Sequence, residues 1–454
     1  MTAAPDIERI AQALGQAPRV AYAATHVYPW AAPAFAHAPR AERPRLPLEQ
    51  LRLYVHVPFC NYGCTFCFYT VKVGAKPALM ERTVAALEKE LEHVAPGTPL
   101  AQLFMGGGTP TALPPELLDR LLAAIFARAP SLGSEVHTVE ASPETLTDEH
   151  IAVLQRHGVG RVSMGVQSLD AGVLGGVHRR HSPAQAIGAI ERLAAHGMIA
   201  NVDLIYGLPG QSEASLRRDL EAVVRAGVSS VTLYDLRLNE HTPVRKALSD
   251  DERLVLERLV RWRRFVRDAA AEVGLVQTRW HTFKRPTGMA TKHRRAPHFS
   301  DDGHGYQLGI GASARSQLGT VVYRNHDAID GWLTRVEAGE SPVEEVFALD
   351  LADRQAQFVA RSLGDGQPLV RARFEAAFGE PIERSQAGAM GDTIARLVAG
   401  GLVADDGQAL TLTEIGRLVY DRVTLCFYPE KARRWLMERA LEPARPAPAR
   451  ALPA

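Results

Sequence analysis

The chain has 454 residues, of which 46% are apolar and 23% are charged, and its formal net charge is +1. This composition is typical of a globular protein with room for more than one core, and the balanced charge argues against a nucleic-acid partner. No apolar run has the length of a transmembrane helix, and the first residues are charged where a signal peptide is apolar. We therefore expect a cytoplasmic protein without a membrane partner.

The chain divides into four parts by composition. Residues 1–50 are rich in Ala and Pro and predict an extended N-terminal arm. Residues 51–330 alternate short apolar segments with helical ones, which indicates an α/β fold with βα units around a parallel sheet, either doubly wound or an incomplete barrel. Residues 340–440 predict a mainly helical, winged-helix-like domain, and residues 441–454 a disordered tail. The predicted strands are LYVHV, LAQLFM, EVHTVEA, RVSMGV, ANVDLIY and SVTLYDL.

Unusual residues directly follow several predicted strands. Cys60 comes after LYVHV, the run Gly106-Gly107-Gly108 after LAQLFM, and Gln167 after RVSMGV. Ligands of parallel α/β folds bind at the carboxyl ends of the strands. The sequence therefore predicts that these residues belong to one site.

Three of the four cysteines, Cys60, Cys64 and Cys67, form a CxxxCxxC cluster, whereas Cys426 lies in an apolar stretch typical of a core. Clustered thiols in a large chain without a disulfide framework indicate metal ligands. Thiolates are the natural ligands of iron–sulfur clusters, and three of them leave one iron of a four-iron cluster open. The alternative is a zinc site, which usually has four protein ligands and for which His56 would be the nominee.

The CxxxCxxC loop after a first strand resembles the signature of the radical S-adenosylmethionine (SAM) superfamily. The string YVHVPFC resembles, within it, the oxygen-independent coproporphyrinogen III dehydrogenase family, and so do MGGGTPT, VEASPETL, RVSMGVQS, VDLIYGLPGQS, LGIGASA and LTEIGRLVYDRV. The resemblance covers residues 25–435. It implies an incomplete (βα)6 barrel that holds a [4Fe–4S] cluster and SAM.

By resemblance, the reduced cluster cleaves SAM to methionine and a 5′-deoxyadenosyl radical, and a second SAM is expected. Three residues, Tyr54, His56 and Asp203, are implied as catalytic. The implied cofactor-binding residues are Tyr54, Phe66, Gly107, Gly108, Thr109, Glu140, Gln167, Arg179, Asp203, Tyr234 and Leu236.

Several of these positions have a second interpretation. Arg180 is adjacent to Arg179, so the HRRH string leaves the register open by one residue. His56 is also compatible with a core histidine, and Asp203 with a carboxylate that holds the sheet, although a buried carboxylate requires hydrogen bonds.

The reaction is less clearly marked than the cofactor. The coproporphyrinogen enzymes that this chain resembles have the motif CxxxCxxCxC, with a further cysteine two positions after the third. This chain has Phe68-Tyr69 after Cys67 instead. Ser300 and Arg315 stand where we expect a glutamine and an apolar residue, in the region implied to bind substrate and the second SAM. We therefore favour the methylase and cyclopropanase branch, which transfers a methyl or methylene group from a second SAM to a natural product or peptide. The alternatives are oxidative decarboxylation of coproporphyrinogen III and a haem chaperone.

The expected partners follow from these interpretations. They are a small-molecule or peptide substrate and a reductant such as flavodoxin or ferredoxin, and the family resemblance implies a monomer. A winged-helix-like domain does not by itself imply DNA binding, and we expect it to cover the open side of the barrel.

Overall fold

The computed structural model describes residues 6–15, 17, 36–37, 50–238, 242–249, 255–286 and 305–441. The predicted 441–454 tail lies outside the described residues except Leu441, and so does Ser300. Among the residues that the structure describes, no helix has both the length and the apolar character of a membrane span.

The six predicted strands are present and pair in parallel in chain order. Numbered along the whole chain, they are β2 (Leu51–Val57), β5 (Leu100–Gly107), β6 (His137–Ala141), β7 (Val159–Gln167), β8 (Ile199–Tyr206) and β9 (Ser230–Asp235). The register places His56 opposite Gly106 and Val57 opposite Gly107. The segment that leads into the cysteine loop therefore lies beside the glycine run.

The helices between these strands begin at residues that cap them. Ser182 and Ser212 each accept a hydrogen bond from the third residue of the helix that follows, and Thr147 forms a capping box with His150. The helices of the described residues are α1 (Ile7–Leu14), α2 (Pro77–Leu91), α3 (Pro115–Arg128), α4 (Asp148–Arg156), α5 (Ala171–Gly176), α6 (Pro183–Ala195), α7 (Glu213–Arg225), α8 (Val244–Ala247), α9 (Leu256–Glu272), α10 (Ile329–Glu337), α11 (Leu351–Ser362), α12 (Arg371–Phe378), α13 (Ala389–Ala399), α14 (Glu414–Arg417), α15 (Tyr420–Cys426) and α16 (Glu430–Leu441).

The parallel strands are the centre of a 13-stranded sheet, so the sheet is larger than the sequence predicts. At one edge, the strand β12 (Gly305–Ile310) pairs in parallel with β2 and continues into antiparallel strands; at the other edge, β9 pairs with a short hairpin. The additional strands of this sheet are β1 (Ala36–His37), β10 (Val276–Arg279), β11 (Thr282–Lys284), β12 (Gly305–Ile310), β13 (Arg315–Gly319), β14 (Val321–Asn325) and β15 (Val343–Ala348).

A second apolar core lies in the C-terminal part of the chain. Its helices surround a three-stranded antiparallel sheet made of β16 (Leu369–Val370), β17 (Val403–Asp405) and β18 (Ala409–Leu412). Helix α1 packs into the same core through Ile10 and Leu14, which are buried.

The helix at Ile7–Leu14 corrects part of the prediction of an extended arm. Asp6 caps this amphipathic segment, and burial of its apolar face stabilises the helix despite the Ala/Pro-rich sequence around it.

Candidate active site

The three clustered cysteines lie on a loop held at both ends. β3 (Phe59–Cys60) pairs in parallel with β4 (Lys72–Val73), so the two ends of the loop lie side by side. At mid-loop, the Thr65 N–H donates to the Val177 carbonyl (3.2 Å), and the Val244 N–H donates to the Thr65 carbonyl (3.0 Å). The loop is therefore anchored to the segments that follow β7 and β9.

Polar groups from the segments that follow β5 and α5 contact the thiols. The Thr109 hydroxyl lies 3.7 Å from Cys60 Sγ, and an Arg179 N–H donates to Cys64 Sγ over 3.6 Å. Burial raises the pKa of Cys60 to about 12, although Thr109 opposes this rise. Since coordinated thiols are deprotonated, such a site requires a cationic centre to stabilise the thiolates.

The donor set fits an iron–sulfur cluster better than a single ion. Within the described ranges, no three His, Cys, Asp or Glu side chains are arranged to hold one metal ion. The thiolate ligands of a four-iron cluster lie further apart than those of one zinc ion, because the cluster is wider. The fourth zinc ligand considered from the sequence, His56, has both ring nitrogens engaged elsewhere.

The glycine run lies directly against the cysteine loop. A Cβ atom at Gly108 would lie 2.6 Å from the Phe59 carbonyl oxygen, so only glycine permits this approach. Gly107 has φ +107°, and its Cβ would lie 2.5 Å from His56 Nδ1. The Gly107 N–H donates to Glu140 Oε2 over 3.3 Å. The predicted SAM-binding residues at 107–109 and Glu140 are thus brought together.

Two carboxylates lie on the inner face of the barrel. Burial, and then the Asp203 charge, raise the pKa of Glu140 to about 8. Burial also raises the pKa of Asp203, although Ser163 donates to it at 3.1 Å and Asn201 at 2.8 Å. Glu140 is therefore largely protonated near neutral pH in the protein alone.

Arg179 contacts a cysteine of the loop, whereas Arg180 is exposed and lies 5.8 Å from the centre of the Tyr62 ring on the same loop. The Arg179 guanidinium donates to the Gly165 carbonyl and to Ser142 Oγ (3.0 Å), in addition to Cys64. Gln167 ends β7 at a bulge with φ +70°, a conformation that a non-glycine residue rarely adopts. The geometry favours Arg179 over Arg180 as the residue that faces a ligand.

Tyr54 and His56 form a hydrogen-bonded pair on β2. His56 Nε2 lies 2.9 Å from the Thr70 carbonyl oxygen, which can only accept, so Nε2 carries the proton. Nδ1 then accepts from the Tyr54 hydroxyl at 3.0 Å. Burial lowers the pKa of His56, which keeps the ring neutral. His56 thus orients Tyr54 and has no ring nitrogen left for another contact while both bonds hold.

The comparisons with known proteins agree with this geometry. The radical SAM superfamily matches residues 54–223. The protein described as heme chaperone HemW of Mycobacterium tuberculosis is 31% identical over 391 residues, which cover 83% of this chain and 95% of that protein. This chain belongs to the radical SAM superfamily.

Its family within the superfamily includes HemW proteins and coproporphyrinogen oxidases. Oxygen-independent coproporphyrinogen III oxidase of Pseudomonas aeruginosa is 27% identical over 394 residues, which cover 83% of this chain and 85% of that enzyme. The structure of coproporphyrinogen III oxidase (HemN) from Escherichia coli aligns with a TM-score of 0.73 and 24% identity, and covers 84% of this chain and 91% of that one. The predicted radical SAM barrel is confirmed, and its cofactors are a [4Fe–4S] cluster and SAM.

The remaining predicted SAM-binding residues of this radical SAM protein surround the loop on its apolar side. Phe66 packs against an apolar cluster that includes Leu236, which is buried. Tyr234 is 39% exposed and stacks on His281 with ring centroids 5.3 Å apart. Phe66 and Leu236 are therefore brought together, while Tyr234 lies on the wall formed by β9 and the loop beside it.

Sequence reasoning missed a network of hydrogen-bonded polar side chains on β7, β8 and β9, here called the polar floor of the barrel. Asn201 donates to Ser163 (2.9 Å) and Thr232 (3.1 Å), and its oxygen accepts from Ser230 (2.7 Å). Arg161 lies two residues before Ser163 on the same face of β7. Alternating polar residues in otherwise apolar strands are the signal that could have revealed this floor.

Proposed function

We propose that this radical SAM enzyme acts on a tetrapyrrole that carries carboxylate side chains. The relatives carry this proposal: matches covering 83% of the chain are described as a heme chaperone and as a coproporphyrinogen III oxidase, and both names refer to tetrapyrroles. This proposal favours the alternatives raised from the sequence over methyl transfer to a natural product or peptide.

The chain's own residues hold and orient the reactants. We assign Cys60, Cys64 and Cys67 as cluster ligands. When bound, the cluster and SAM supply the 5′-deoxyadenosyl radical that removes a hydrogen atom from the substrate. We assign the backbone at Gly107 to the amino group of the SAM methionine, and the Arg179 guanidinium to its carboxylate, whose geometry a guanidinium matches.

Glu140 and the Tyr54–His56 pair complete this arrangement. Glu140 faces the same space and offers its carboxyl group to ribose hydroxyls. Tyr54, oriented by His56, lies on the wall of the barrel next to them. Each of these groups is positioned before any ligand binds, which reduces the reorganisation needed at reaction.

Methyl or methylene transfer with a second SAM is the second candidate, and the loop residue Tyr69 favours it. In place of the further cysteine of the coproporphyrinogen enzymes, Phe68 and Tyr69 stack with ring centroids 4.7 Å apart. Tyr69 is 49% exposed. An aromatic ring at this place alters the substrate space, and Asp203 would contact the second SAM.

The proposed setting follows from the cofactors. Reduction of the cluster requires a one-electron donor such as flavodoxin or ferredoxin, and we place the enzyme in the cytoplasm as a monomer. Neither nucleic acid nor a membrane is part of the proposal.

The test is an anaerobic assay of the reconstituted full-length enzyme with SAM, dithionite and either coproporphyrinogen III or haem, together with a haem titration, and Cys64→Ala is the control. We expect 5′-deoxyadenosine from the wild type alone, and either decarboxylated porphyrinogen or saturable binding of haem. S-adenosylhomocysteine or methylthioadenosine, with no effect of either tetrapyrrole, would instead support the second candidate. No 5′-deoxyadenosine from a loaded cluster, and no tetrapyrrole binding, would contradict the proposal.

A further inference from the structure

The cysteine loop and the segment that supports it contain no acidic residue. Residues 51–80 include no Asp or Glu, and neither do residues 171–190, which run through Arg179. Across the chain 51 of 454 residues are acidic, so two such gaps are not expected from composition. The two stretches are joined, because the Thr65 N–H donates to the Val177 carbonyl at 3.2 Å. They therefore form one surface without acids of its own.

Exposed cations lie on both sides of the cysteine loop. On one side, the Arg180 guanidinium lies 5.8 Å from the centre of the Tyr62 ring, which is buried in the loop. On the other side, Lys72 is exposed on β4, and Lys76 is exposed at the residue that precedes α2. We call Lys72, Lys76 and Arg180 the basic rim.

The basic rim borders the segment that carries the first two cluster ligands. Val73 is the direct strand partner of Cys60, and the Gly74 N–H donates to the Cys60 carbonyl at 3.0 Å. A Cβ atom on Gly63, which precedes Cys64, would lie 3.7 Å from Val73 Cγ2. Val73 is 37% exposed, and Gly63 is also exposed. The outer side of the loop therefore presents a small apolar surface next to the cluster ligands.

Acids of neighbouring elements that approach the loop have partners of their own. Asp327 accepts a hydrogen bond from the Thr70 hydroxyl and lies 3.7 Å from the Arg324 guanidinium. Glu144 is 16% exposed and accepts a hydrogen bond from the Ser142 hydroxyl at 2.6 Å. The surface around the loop therefore keeps a positive potential towards the solvent.

We propose that the basic rim docks a flavodoxin, an acidic protein that donates single electrons from a flavin. This inference rests on the proposed reduction of the cluster by a protein and names the surface that receives it. Complementary charges speed association and orient the partners, and the apolar edge of a flavin ring suits the surface of Val73 and Gly63. One electron leaves the reduced flavin and enters the cluster, and no atom is transferred.

The test is a calorimetric titration of the full-length chain with a purified flavodoxin. We expect the double variant Lys72→Gln with Lys76→Gln to weaken binding about tenfold at low salt. Arg180→Gln should weaken binding by a smaller factor, because it removes one charge rather than two. The affinities of the wild type and the double variant should converge as salt is raised to about 0.5 M, because exposed charges are then screened.

Arg156→Gln with Arg225→Gln is the charge-matched control for the double variant. Both arginines are exposed in the last turns of α4 and α7, which lead to the amino ends of β7 and β9, at the opposite edge of the sheet from the loop. This control should bind flavodoxin like the wild type. Far-UV circular dichroism checks that all variants fold.

Formation of 5′-deoxyadenosine without substrate separates docking from the chemistry. With dithionite, which needs no docking surface, the Lys72 and Lys76 double variant should match the wild type. With subsaturating reduced flavodoxin it should be about tenfold slower.

Separate outcomes overturn the surface and the proposed function. A double variant that binds flavodoxin like the wild type, or a control that loses as much affinity, would overturn the surface alone. A loss of binding seen with a ferredoxin and not with flavodoxin would overturn the choice of partner. A wild type that forms no 5′-deoxyadenosine with dithionite would count against the proposed function, while the titration would still decide whether the rim docks flavodoxin.

Discussion

Glu140 is a carboxylic acid whose environment favours the neutral form. Burial and the neighbouring Asp203 raise its pKa from 4.5 to about 8, while the Gly107 N–H at 3.3 Å only partly offsets this effect. The folded protein therefore holds a proton that the unfolded chain has released between these two pH values. By linkage, the free energy of unfolding contributed by Glu140 is full below pH 4.5 and is lost as the pH rises towards 8.

Glu140→Gln should make stability less dependent on pH, because an amide mimics the protonated acid and does not titrate. Urea unfolding of the cluster-free chain from about pH 5 to about pH 8.5 measures the effect. The wild-type midpoint should fall across this range more than that of Glu140→Gln. Glu116→Gln, at an exposed position of α3, should follow the wild type. If the urea midpoint of Glu140→Gln changed with pH as much as that of the wild type, the Glu140 carboxyl would ionise normally.

Among the elements, helix α2 carries a buried acid that contacts the strands added next to β2. Glu90 is buried and accepts hydrogen bonds from the Gly311 N–H (2.8 Å), Asn325 Nδ2 (2.7 Å) and Trp332 Nε1 (2.9 Å). These donors belong to the turn after β12, to β14 and to α10. One carboxylate therefore holds the added strands against the first βα unit.

Glu90→Ala should destabilise the folded chain by about 3 kcal/mol, since a buried acceptor is removed and its donors are left unsatisfied. Chemical denaturation measures the loss. Glu92→Ala, two residues further at an exposed position, should change stability by less than about 0.5 kcal/mol. Similar losses for the two variants would mean that the Glu90 hydrogen bonds contribute little.

The sequence predicts some elements of the fold and not others. The six parallel strands were predictable because each is a short apolar run followed by a helical segment. Their carboxyl ends carry Gly107 and Gln167, and Cys60 follows the first of them closely, so all three lie at one edge of the sheet. The antiparallel strands β13–β15 were not predicted, because their inner faces carry residues such as Arg315 and Arg324 that are typical of exposed segments. Contacts such as Glu90 to Gly311 join distant parts of the chain and leave no local pattern.

In the whole molecule, a buried charge network joins the barrel to the C-terminal core. Arg263 of α9 donates to both carboxylate oxygens of Asp421 on α15, at 2.7 and 3.1 Å, and lies 3.6 Å from Asp235 at the end of β9. Its guanidinium also lies 4.7 Å from the centre of the Tyr420 ring. The strand end that carries Tyr234 and helix α15 are thus bound to one cation.

This network predicts that the barrel and the C-terminal core open together. Burial alone would raise the pKa of Asp421, but Arg263 outweighs it and holds the pKa well below its usual value. Asp421→Asn removes the negative partner of a buried cation and should cost about 3 kcal/mol. Hydrogen exchange should speed up in α9 and β9 as well as in α15, because both sides lose the same anchor.

The matched control is Asp405→Asn, which breaks the more exposed pair of Asp405 with Arg371 (2.7 Å) in the three-stranded sheet. Because surface ion pairs contribute little, this variant should lose less than about 1 kcal/mol and should speed up exchange only near β17 and β18. If Asp421→Asn sped up exchange only in the C-terminal core, the end of β9 would be stable without the Arg263–Asp421 pair. Faster exchange on both sides would mean that the C-terminal core supports the wall of the active site, so that mutations far from the cysteine loop alter how the enzyme holds its ligands.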